Sequence, residues 1–382
     1  MPSCSATSGR GGGRGVLKVE VKDEVESKDI DKDKEMEILS YIKEQPRMIR
    51  RVFEEVPRDL AAFPKISKAK TVYLVGSGTS MNALVAVEPL LGRSGNQRTR
   101  IRGPLAFMAE ADNEVGPGSL AIILSQTGTS TTTIRAVEYA RRRGMRTITL
   151  TAERESPIAR VSSEVLVIPV GPETVGPKTK GYTASVLTLL LFILAQAGRK
   201  LEVPGFAQGF HRLIEHCQQA CRDTASLFRE MDFVLVAGQG RHLATTLEGS
   251  LKITEMSGVP AAAFETEEAF HGRFHGLSNR SLAILITATS QEQEMAVKGA
   301  EVLSRLDIGI RILNLGGGPP SAYDLEMPWP PTGPLPELDL LNAIIPFQLL
   351  GWHIAREKGV VPEKMRYPGL SQKLQIKTKV HP

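Results

Sequence analysis

The stretch TVYLVGSGTSMNALVAVEPLL, at residues 71–91, joins a short apolar run to a glycine-rich turn and then to a helical pattern. The same arrangement, DFVLVAGQGRHLATTLEGSLKITEMSG, returns at residues 232–258. Each copy is followed by further apolar runs that alternate with helical segments, such as LAIIL in the first half and SLAILITAT in the second. Strands that are apolar throughout and alternate with helices form a parallel sheet covered on both faces. We therefore expect an α/β chain of two tandem, doubly wound parallel sheets.

Changes of composition along the chain predict where the domains begin and end. Residues 1–32 consist of Gly, Ser, Lys, Asp and Glu with almost nothing to bury, which predicts a disordered N-terminal tail. We expect a first domain at residues 33–204, opening with a pair of helices of which Pro46 starts the second, and a second domain at residues 205–345. Residues 346–382 are predicted to hold the end of a final helix and an irregular tail.

Composition and charge exclude several classes of protein. Of the 382 residues, 41% are hydrophobic and 23% are charged, close to the average of globular domains. The 47 basic residues outnumber the 42 acidic ones but gather on no tract, so we expect no nucleic-acid partner. The start of the chain has no apolar signal region and the apolar run at 184–197 is short, so we expect no membrane insertion. Cys4, Cys217 and Cys221 give no disulfide framework and imply a reducing cytoplasm.

Two turns rich in glycine and hydroxyl groups follow predicted strands of the first half. The first is GSGTS at residues 76–80, and the second is SQTGTS at residues 125–130, with threonines continuing at 131–133. The carboxyl ends of parallel strands meet at one edge of a sheet, where helix N-termini offer unpaired N–H groups to anions. So many hydroxyls at two helix starts suit a phosphate monoester. Ser and Thr also cap ordinary helices, so capping alone remains an alternative for either turn.

A nucleotide fits these turns poorly. The first turn lacks the third glycine of a dinucleotide fingerprint, no acidic residue follows at the next strand, and the chain has no Walker A pattern. The second-half turn GQGR, at residues 238–241, has the glycines without the hydroxyl cluster and is interpreted as a tight turn. We expect no cofactor. Because His, Glu and Cys follow no metal-ligand spacing, we expect no metal either.

The acid–base candidates lie in the second half. Glu255 follows Glu248 by seven residues and Lys252 by three, spacings that share one face of a helix. The chain then runs through AAAFETEEAFHGRFHG, a predicted loop that carries Glu265, Glu267, Glu268, His271 and His275. A histidine followed by glycine in such a loop can approach a ligand and exchange protons near neutral pH. Taken alone, the pattern is more typical of a solvated acidic loop.

The ordered residues together resemble the sugar isomerase (SIS) domain family, and specifically the paired SIS domains of the isomerase half of glucosamine-6-phosphate synthase. The resemblance rests on seven segments in order: EQPRMIRRVF, GSGTS, SQTGTSTTT, GPETVGPKTKGYTAS, LEGSLKITE, the HG of the loop, and IIPFQLLGWHIAREKG. It implies flavodoxin-like domains. It also implies a homodimer, because in relatives the histidine loop reaches into the neighbouring subunit's site.

The resemblance also implies roles for particular residues. It matches Glu255 to the base that moves a proton between C1 and C2 of the sugar, and Lys252 to the lysine that accompanies that base. It matches His271 to the histidine that opens the sugar ring, and Lys373 to a tail lysine that forms an imine with the open-chain sugar. The residues that it implies for binding the phosphate and the sugar are Ser80, Ser125, Gln126, Thr127, Ser130, Gly176 and Thr179.

Three departures from the family pattern point to a different reaction. The sequence shows no glutaminase domain and no catalytic cysteine directly after Met1, so we expect that the chain does not draw ammonia from glutamine. Thr129 stands where the family has glutamate and Lys178 where it has serine, which favours a different substituent on the sugar. The pattern resembles deglycases that split 6-phosphorylated fructosamines into a sugar phosphate and an amine. We therefore predict a deglycase or deaminase acting on a phosphorylated amino sugar or ketosamine; an aldose–ketose isomerase and a non-catalytic sugar-phosphate-binding regulator remain alternatives.

Overall fold

The computed structural model describes residues 37–60, 63, 66, 69–93, 97–109, 115–330, 332 and 335–378. The tail predicted for residues 1–32, with Cys4, lies outside the described residues.

The first half of the chain forms a sheet of five parallel strands in the order β2-β1-β3-β4-β5. Leu74 in its central strand lies between Ile101 and Ile122 of the two neighbouring strands. This is the flavodoxin-like strand order, in which the chain switches direction between the first and third strands. Its elements are α1 (Glu37–Leu60), β1 (Thr71–Val75), α2 (Thr79–Arg93), β2 (Arg98–Arg102), α3 (Pro104–Ala109), β3 (Ser119–Leu124), α4 (Thr131–Arg142), β4 (Arg146–Thr151), α5 (Pro157–Val161), β5 (Glu164–Val167) and α6 (Lys180–Gln196).

The second half repeats this order with four parallel strands, β7-β6-β8-β9. The prediction of two parallel α/β sheets is therefore confirmed. Its elements are α7 (Phe206–Leu227), β6 (Phe233–Ala237), α8 (Leu243–Ser257), β7 (Ala261–Phe264), α9 (Thr266–Phe270), β8 (Ser281–Thr287), α10 (Ser290–Arg305), β9 (Gly309–Asn314), α11 (Asp339–Glu357) and α12 (Leu370–Lys373).

One apolar core joins the two sheets. The largest buried cluster contains Leu74 of β1, Ile284 of β8, and buried residues of the four helices α1, α6, α7 and α11 between them. Burial of this apolar surface is the main stabilising contribution to both halves. The expected boundary at 204/205 falls between α6 and α7 and stays a prediction.

Among the described helices, one is long and apolar enough to cross a membrane. It spans Pro336–Glu357, where a 3₁₀ turn runs into α11, and 94% of its apolar window is buried inside the protein. The apolar run noted at 184–197 belongs mostly to the shorter helix α6, which is buried along most of its length. Both helices therefore bury their apolar surface in the core of this chain.

Two local predictions were wrong, and one strand was missed. The expected helix pair is one helix, α1, because its buried positions Ile42, Ile49 and Val52 form a continuous apolar face that stabilises the helix through Pro46. Strand β2, RTRIR, is an edge strand whose arginines concealed it, and it was not predicted. The segment expected to be a loop at residues 261–276 contains strand β7, helix α9 and a 3₁₀ turn. Alanine-rich AAAF lacks the β-branched residues that mark a strand.

Candidate functional site

The first hydroxyl turn joins β1 to α2 beside the point where the strand order switches. Gly78 has a positive φ of 55°, a conformation that glycine adopts without strain. A Cβ at Gly76 would lie 3.1 Å from the Leu84 side chain, so the turn packs tightly on the helix it starts. As a result, half-buried Thr79 and Ser80 lie at the N-terminus of α2, where an anion is favoured.

The second hydroxyl turn joins β3 to α4, on the adjacent strand. Ser130 caps α4 by accepting a hydrogen bond from the Thr133 N–H at 3.4 Å, so the capping interpretation holds for this residue. The hydroxyls of Thr127 and Thr129 bond each other at 2.9 Å. Gly128 has φ 64°, and a Cβ there would overlap Ser156. Ser125 is buried, whereas Gln126, Thr127 and Ser130 are half-buried.

The N-terminus of α6 packs against the second turn. A Cβ added at Gly181 would overlap the Gln126 side-chain amide, so only glycine allows this approach. The Glu173 carboxylate caps the helix, accepting from the N–H groups of Thr179 at 2.7 Å and Gly181 at 3.0 Å. It also accepts from the Thr179 hydroxyl at 2.8 Å, and Thr179 is fully buried. Of the predicted sugar-contact residues in this segment, Gly176 is exposed and Thr179 is buried, and Lys178 between them is half-buried.

A buried charge cluster on α8 faces the first turn. Lys252 is fully buried, and its ammonium lies 3.4 Å from Glu248 Oε1 and forms a shorter ion pair with Glu255. The Glu255 side chain keeps 20% of its surface exposed, whereas Glu248 is fully buried. Glu255 is thus the carboxylate of this cluster that a ligand can reach.

Hydrogen bonds join this cluster to the first turn across the two halves of the chain. Lys252 Nζ donates to Thr79 Oγ1 at 3.2 Å, and Thr79 Oγ1 donates to Glu248 Oε1 at 3.1 Å. Asn82 Nδ2, one turn further along α2, donates to Glu248 Oε2 at 2.8 Å. The predicted base and the predicted phosphate turn are therefore brought together within one chain.

Burial and neighbouring charges shift the pKa values of this cluster. Burial raises the pKa of Glu248 to about 7, against the opposing effects of the Lys252 charge and the Asn82 hydrogen bond. Burial alone would lower the pKa of Lys252, but the charges of Glu248 and Glu255 outweigh it and raise that pKa. Lys252 therefore stays an ammonium, and Glu248 changes its charge near neutral pH.

Lys178 brings another ammonium towards this cluster. Its Nζ donates to the backbone carbonyls of Glu173 and Val175, the latter at 2.8 Å. Burial lowers the pKa of Lys178, and this effect outweighs the opposing charge of Glu173. Two of its three N–H groups hold its own loop, which leaves one for a ligand.

The C-terminal tail crosses the second turn through residues 376–378. Thr131 N–H donates to Ile376 O at 3.2 Å, Thr378 N–H donates to Thr129 O at 2.8 Å, and Lys377 forms an antiparallel bridge with Ser130. Lys373, the tail lysine implied by the resemblance, is exposed at the end of α12. The sequence offered one signal for the actual contact, an alternating stretch QIKTK after the last predicted helix, and it was missed.

The histidine segment lies apart from these hydrogen bonds. His271 ends α9 with its side chain exposed, and His275 is exposed in the following 3₁₀ turn. Glu268 pairs with Arg273 on the surface at 2.9 Å, as a solvated acidic segment would. Within the described part of this chain, none of the hydrogen bonds and ion pairs of the two turns and the α8 cluster involves His271.

In the second sheet, a carboxylate of the chain itself caps the turn after β8. Glu292 accepts from the N–H groups of Ala288 at 2.6 Å and Thr289 at 3.2 Å, after β8. It also accepts from Gln239 Nε2 at 3.0 Å, in the turn after β6. These two turns correspond in strand order to the hydroxyl turns of the first half. The interpretation of residues 238–241 as a tight turn is consistent with this arrangement.

Comparisons with known proteins give one family model and several relatives. The model of the SIS domain family matches residues 65–195. Over 357 residues the chain is 28% identical to a glutamine–fructose-6-phosphate aminotransferase (isomerizing) of Aeropyrum pernix, covering 86% of this chain and 56% of that protein. The chain thus spans about half the length of the curated relatives it matches.

Solved structures share the fold. Glucosamine-6-phosphate deaminase of Thermotoga maritima superposes with a TM-score of 0.70 at 24% identity, over 87% of this chain and 98% of that one. The C-terminal domain of glucosamine-fructose-6-phosphate aminotransferase of Francisella tularensis superposes with a TM-score of 0.71 at 19% identity, over 88% and 99%. The resemblance inferred from the sequence is therefore confirmed, with the SIS domain model matching residues 65–195 of this chain.

Proposed function

We propose that this protein is a sugar-phosphate enzyme that releases an amine from a phosphorylated amino sugar or ketosamine. The observation that carries the proposal is the position of Lys252, whose ammonium contacts both Glu255 and Thr79. One side chain thus spans the distance between a carboxylate that is 20% exposed and a hydroxyl-rich helix start. A ligand anchored at the turns lies with its remainder beside Glu255.

The phosphate is held at the two hydroxyl turns. They follow adjacent strands at the switch point of the sheet, where helix N-termini and hydroxyls converge. The residues proposed for this role are Ser80, Ser125, Gln126, Thr127 and Ser130. Binding energy from the phosphate orients the reacting carbons, which is how a remote group contributes to rate.

The chemistry is proton transfer between C1 and C2 of the open-chain sugar. Glu255 removes the C1 proton of a ketosamine to give an enolamine, and return of a proton to C2 leaves an imine at C1. Water then hydrolyses the imine to an aldose 6-phosphate and a free amine. Lys252 forms an ion pair with Glu255 and so holds this carboxylate beside the first turn.

His271 is proposed to protonate the ring oxygen or the departing amine. Because it is exposed and apart from the α8 cluster in one chain, this role needs a second copy of the chain, whose loop completes the site. A homodimer therefore belongs to the proposal. For the tail lysine we propose Lys377 in place of Lys373, since Lys377 lies against Ser130 of the second turn.

An aldose–ketose isomerase would share the phosphate site and the base, and a regulator would need only the phosphate site. Purified protein is therefore incubated with fructosamine 6-phosphates, glucosamine 6-phosphate and fructose 6-phosphate, and the products are followed by mass spectrometry. Amine and sugar phosphate appearing together support the proposal. Interconversion of ketose and aldose phosphates without amine release would establish the isomerase.

Two variants assign the activity to the site. Glu255→Gln removes the base and is expected to lower turnover about 100-fold or more. Glu301→Gln, an exposed carboxylate on α10, is the matched control and is expected to keep full activity. In the wild-type protein, retained sugar-phosphate binding with no turnover of any of these substrates would establish the regulator instead.

A further inference from the structure

Glu248 is a carboxylate that the proposed chemistry leaves unused, although it lies between the first turn and the base. Its side chain is fully buried. Oε1 accepts from Thr79 at 3.1 Å and Oε2 accepts from Asn82 at 2.8 Å, with the Lys252 ammonium 3.4 Å from Oε1. A fully buried carboxylate held by neutral donors and one shared cation is costly to keep ionised.

The groups around Glu248 leave its charge finely balanced. Helix α2 contributes only the neutral donors Thr79 and Asn82, and α8 contributes Lys252 and Glu255. Helix α6 contributes the phenol of Tyr182, which is fully buried. With Glu248 and Glu255 both ionised, one ammonium faces two carboxylates. Protonation of Glu248 leaves one ammonium facing one carboxylate.

The Thr79 hydroxyl depends directly on the charge of Glu248. A hydroxyl has one hydrogen to donate and two lone pairs to accept with. Here it accepts a hydrogen bond from Lys252 at 3.2 Å and donates its only hydrogen to Glu248 Oε1. When Oε1 carries a proton, the carboxyl donates to Thr79 Oγ1, and the threonine hydrogen becomes free for an anion at the turn. An anion at the first turn therefore favours protonated Glu248 through a hydrogen bond as well as through charge.

We propose that Glu248 is a positioning residue that takes up one proton from solvent when a phosphate monoester binds at the first turn. Proton uptake frees the Thr79 hydroxyl hydrogen to bond the phosphate. The Lys252 ammonium then faces only one charged carboxylate, that of Glu255. Substrate binding is thereby coupled to the state of the base. No bond other than the O–H of Glu248 forms. This inference rests on the proposed function, because it requires the first turn to hold a phosphate.

Calorimetry of the full chain with fructose 6-phosphate tests this coupling. Titrations at pH 7.5 in two buffers of different ionisation enthalpy give the number of protons taken up on binding. At that pH the ester is already almost fully dianionic, so its own titration contributes little. With the pKa of free Glu248 near 7, we expect uptake of up to about three quarters of a proton per site.

Two variants assign the proton. Glu248→Gln is expected to bind the ester without proton uptake. Glu363→Gln is the matched control, because burial also raises the pKa of Glu363, which accepts from the Ile38 N–H at 3.3 Å. Glu363→Gln is expected to keep the uptake of the wild type. Difference infrared spectroscopy of the wild-type protein needs no variant, and it is expected to show a protonated carboxyl band appearing on ligand binding.

The outcomes separate this inference from the function it rests on. Ester binding without proton uptake in the wild type, or with equal uptake in Glu248→Gln, overturns the role of Glu248 and leaves the proposed function standing. The absence of a new carboxyl band in a protein that binds the ester overturns it as well. A wild-type protein that does not bind the ester at all overturns the proposed function, and this inference with it.

Discussion

Lys252 Nζ lies 3.2 Å from Thr79 Oγ1, although 173 residues separate them along the chain. The contact joins α2, which follows β1 of the first sheet, to α8, which follows β6 of the second sheet. Corresponding helices of the two repeated halves, α2 and α8, thus meet, and the hydroxyl turn and the carboxylates lie on either side of the junction.

Removal of the Lys252 ammonium is expected to destabilise the protein. In Lys252→Met, Glu248 and Glu255 lose the cation that both face, and removing one partner of a buried ion pair costs about 3–5 kcal/mol. Urea unfolding measures the change in the free energy of unfolding. Lys298→Met, which breaks the exposed pair with Glu294, is the control and should leave that free energy nearly unchanged. Equal stability of the two variants would contradict the account of the α8 cluster.

A methyl group at Gly181 is expected to weaken ligand binding through Gln126. The added Cβ of Gly181→Ala would overlap the Gln126 amide and push it out of the second turn. Loss of a hydrogen bond to a charged ligand costs about 1.5–3 kcal/mol, which is about a tenfold loss of affinity or more for fructose 6-phosphate. In Gly92→Ala the new Cβ meets no atom within 4 Å, so this control should bind normally. Unchanged affinity in Gly181→Ala would exclude Gln126 from the site.

Each chain is expected to bind one phosphate ester, although the chain has two similar sheets. The opening in the second sheet is occupied by Glu292, which accepts the N–H groups of Ala288 and Thr289. Isothermal titration calorimetry with fructose 6-phosphate measures the stoichiometry. Two equivalents bound per chain would show that the Glu292 carboxylate does not close the second sheet to anions.

Glu248 is expected to make the stability of the protein fall as pH rises from about 4.5 to 7. Its folded-state pKa, about 7, lies above the ordinary value of 4.5, so in this window the native state binds more protons than the unfolded state. The stabilisation that comes from neutral Glu248 is fully present below pH 4.5 and is lost as the pH rises through about 7. It amounts to on the order of 3 kcal/mol. Urea unfolding at pH 5 and pH 7.5 should show a smaller decrease in Glu248→Gln than in the wild type. The same decrease in both proteins would remove Glu248 as its source.

Activity is expected to return when two inactive variants are mixed. If His271 of one subunit completes the site that holds Glu255 of the other, a dimer of His271→Asn with Glu255→Gln has one intact site and one doubly defective site. Random mixing makes half of the dimers mixed, so about a quarter of wild-type turnover is expected. Refolding the variants together and assaying amine release checks this. A mixture as inactive as its components would place His271 and Glu255 in the same subunit's site or outside catalysis.

The sequence predicted most of the fold because its strands are distinctive. Runs such as LAIIL and SLAILIT are apolar throughout and end at turn residues, which identifies buried parallel strands. The strands that were missed, RTRIR and AAAF, lie at the edges of the two sheets. RTRIR carries arginines because an edge strand is not fully buried, and AAAF lacks the β-branched residues that are typical of strands. Two helices were predicted where α1 is one, because Pro46 usually ends a helix. In α1 the packing of the apolar face outweighs the cost of the proline.

The candidate site was predictable only where it is local in sequence. The hydroxyl turns could be recognised because each directly follows a strand, and Glu255 and Lys252 share one helix. The contact of Glu248 with Asn82 spans 166 residues and depends on how the two sheets pack, which spacing along the chain does not encode. The same holds for the tail, whose bridge from Lys377 to Ser130 connects distant segments.

A crystal structure of the dimer with glucitol 6-phosphate, an open-chain analogue, tests the central claim most directly. The account predicts that the phosphate accepts hydrogen bonds from Ser80 and from residues of the 125–130 turn, with C1 and C2 against Glu255. A phosphate bound elsewhere, or one bound at the turns with the carbon chain directed away from Glu255, would contradict it.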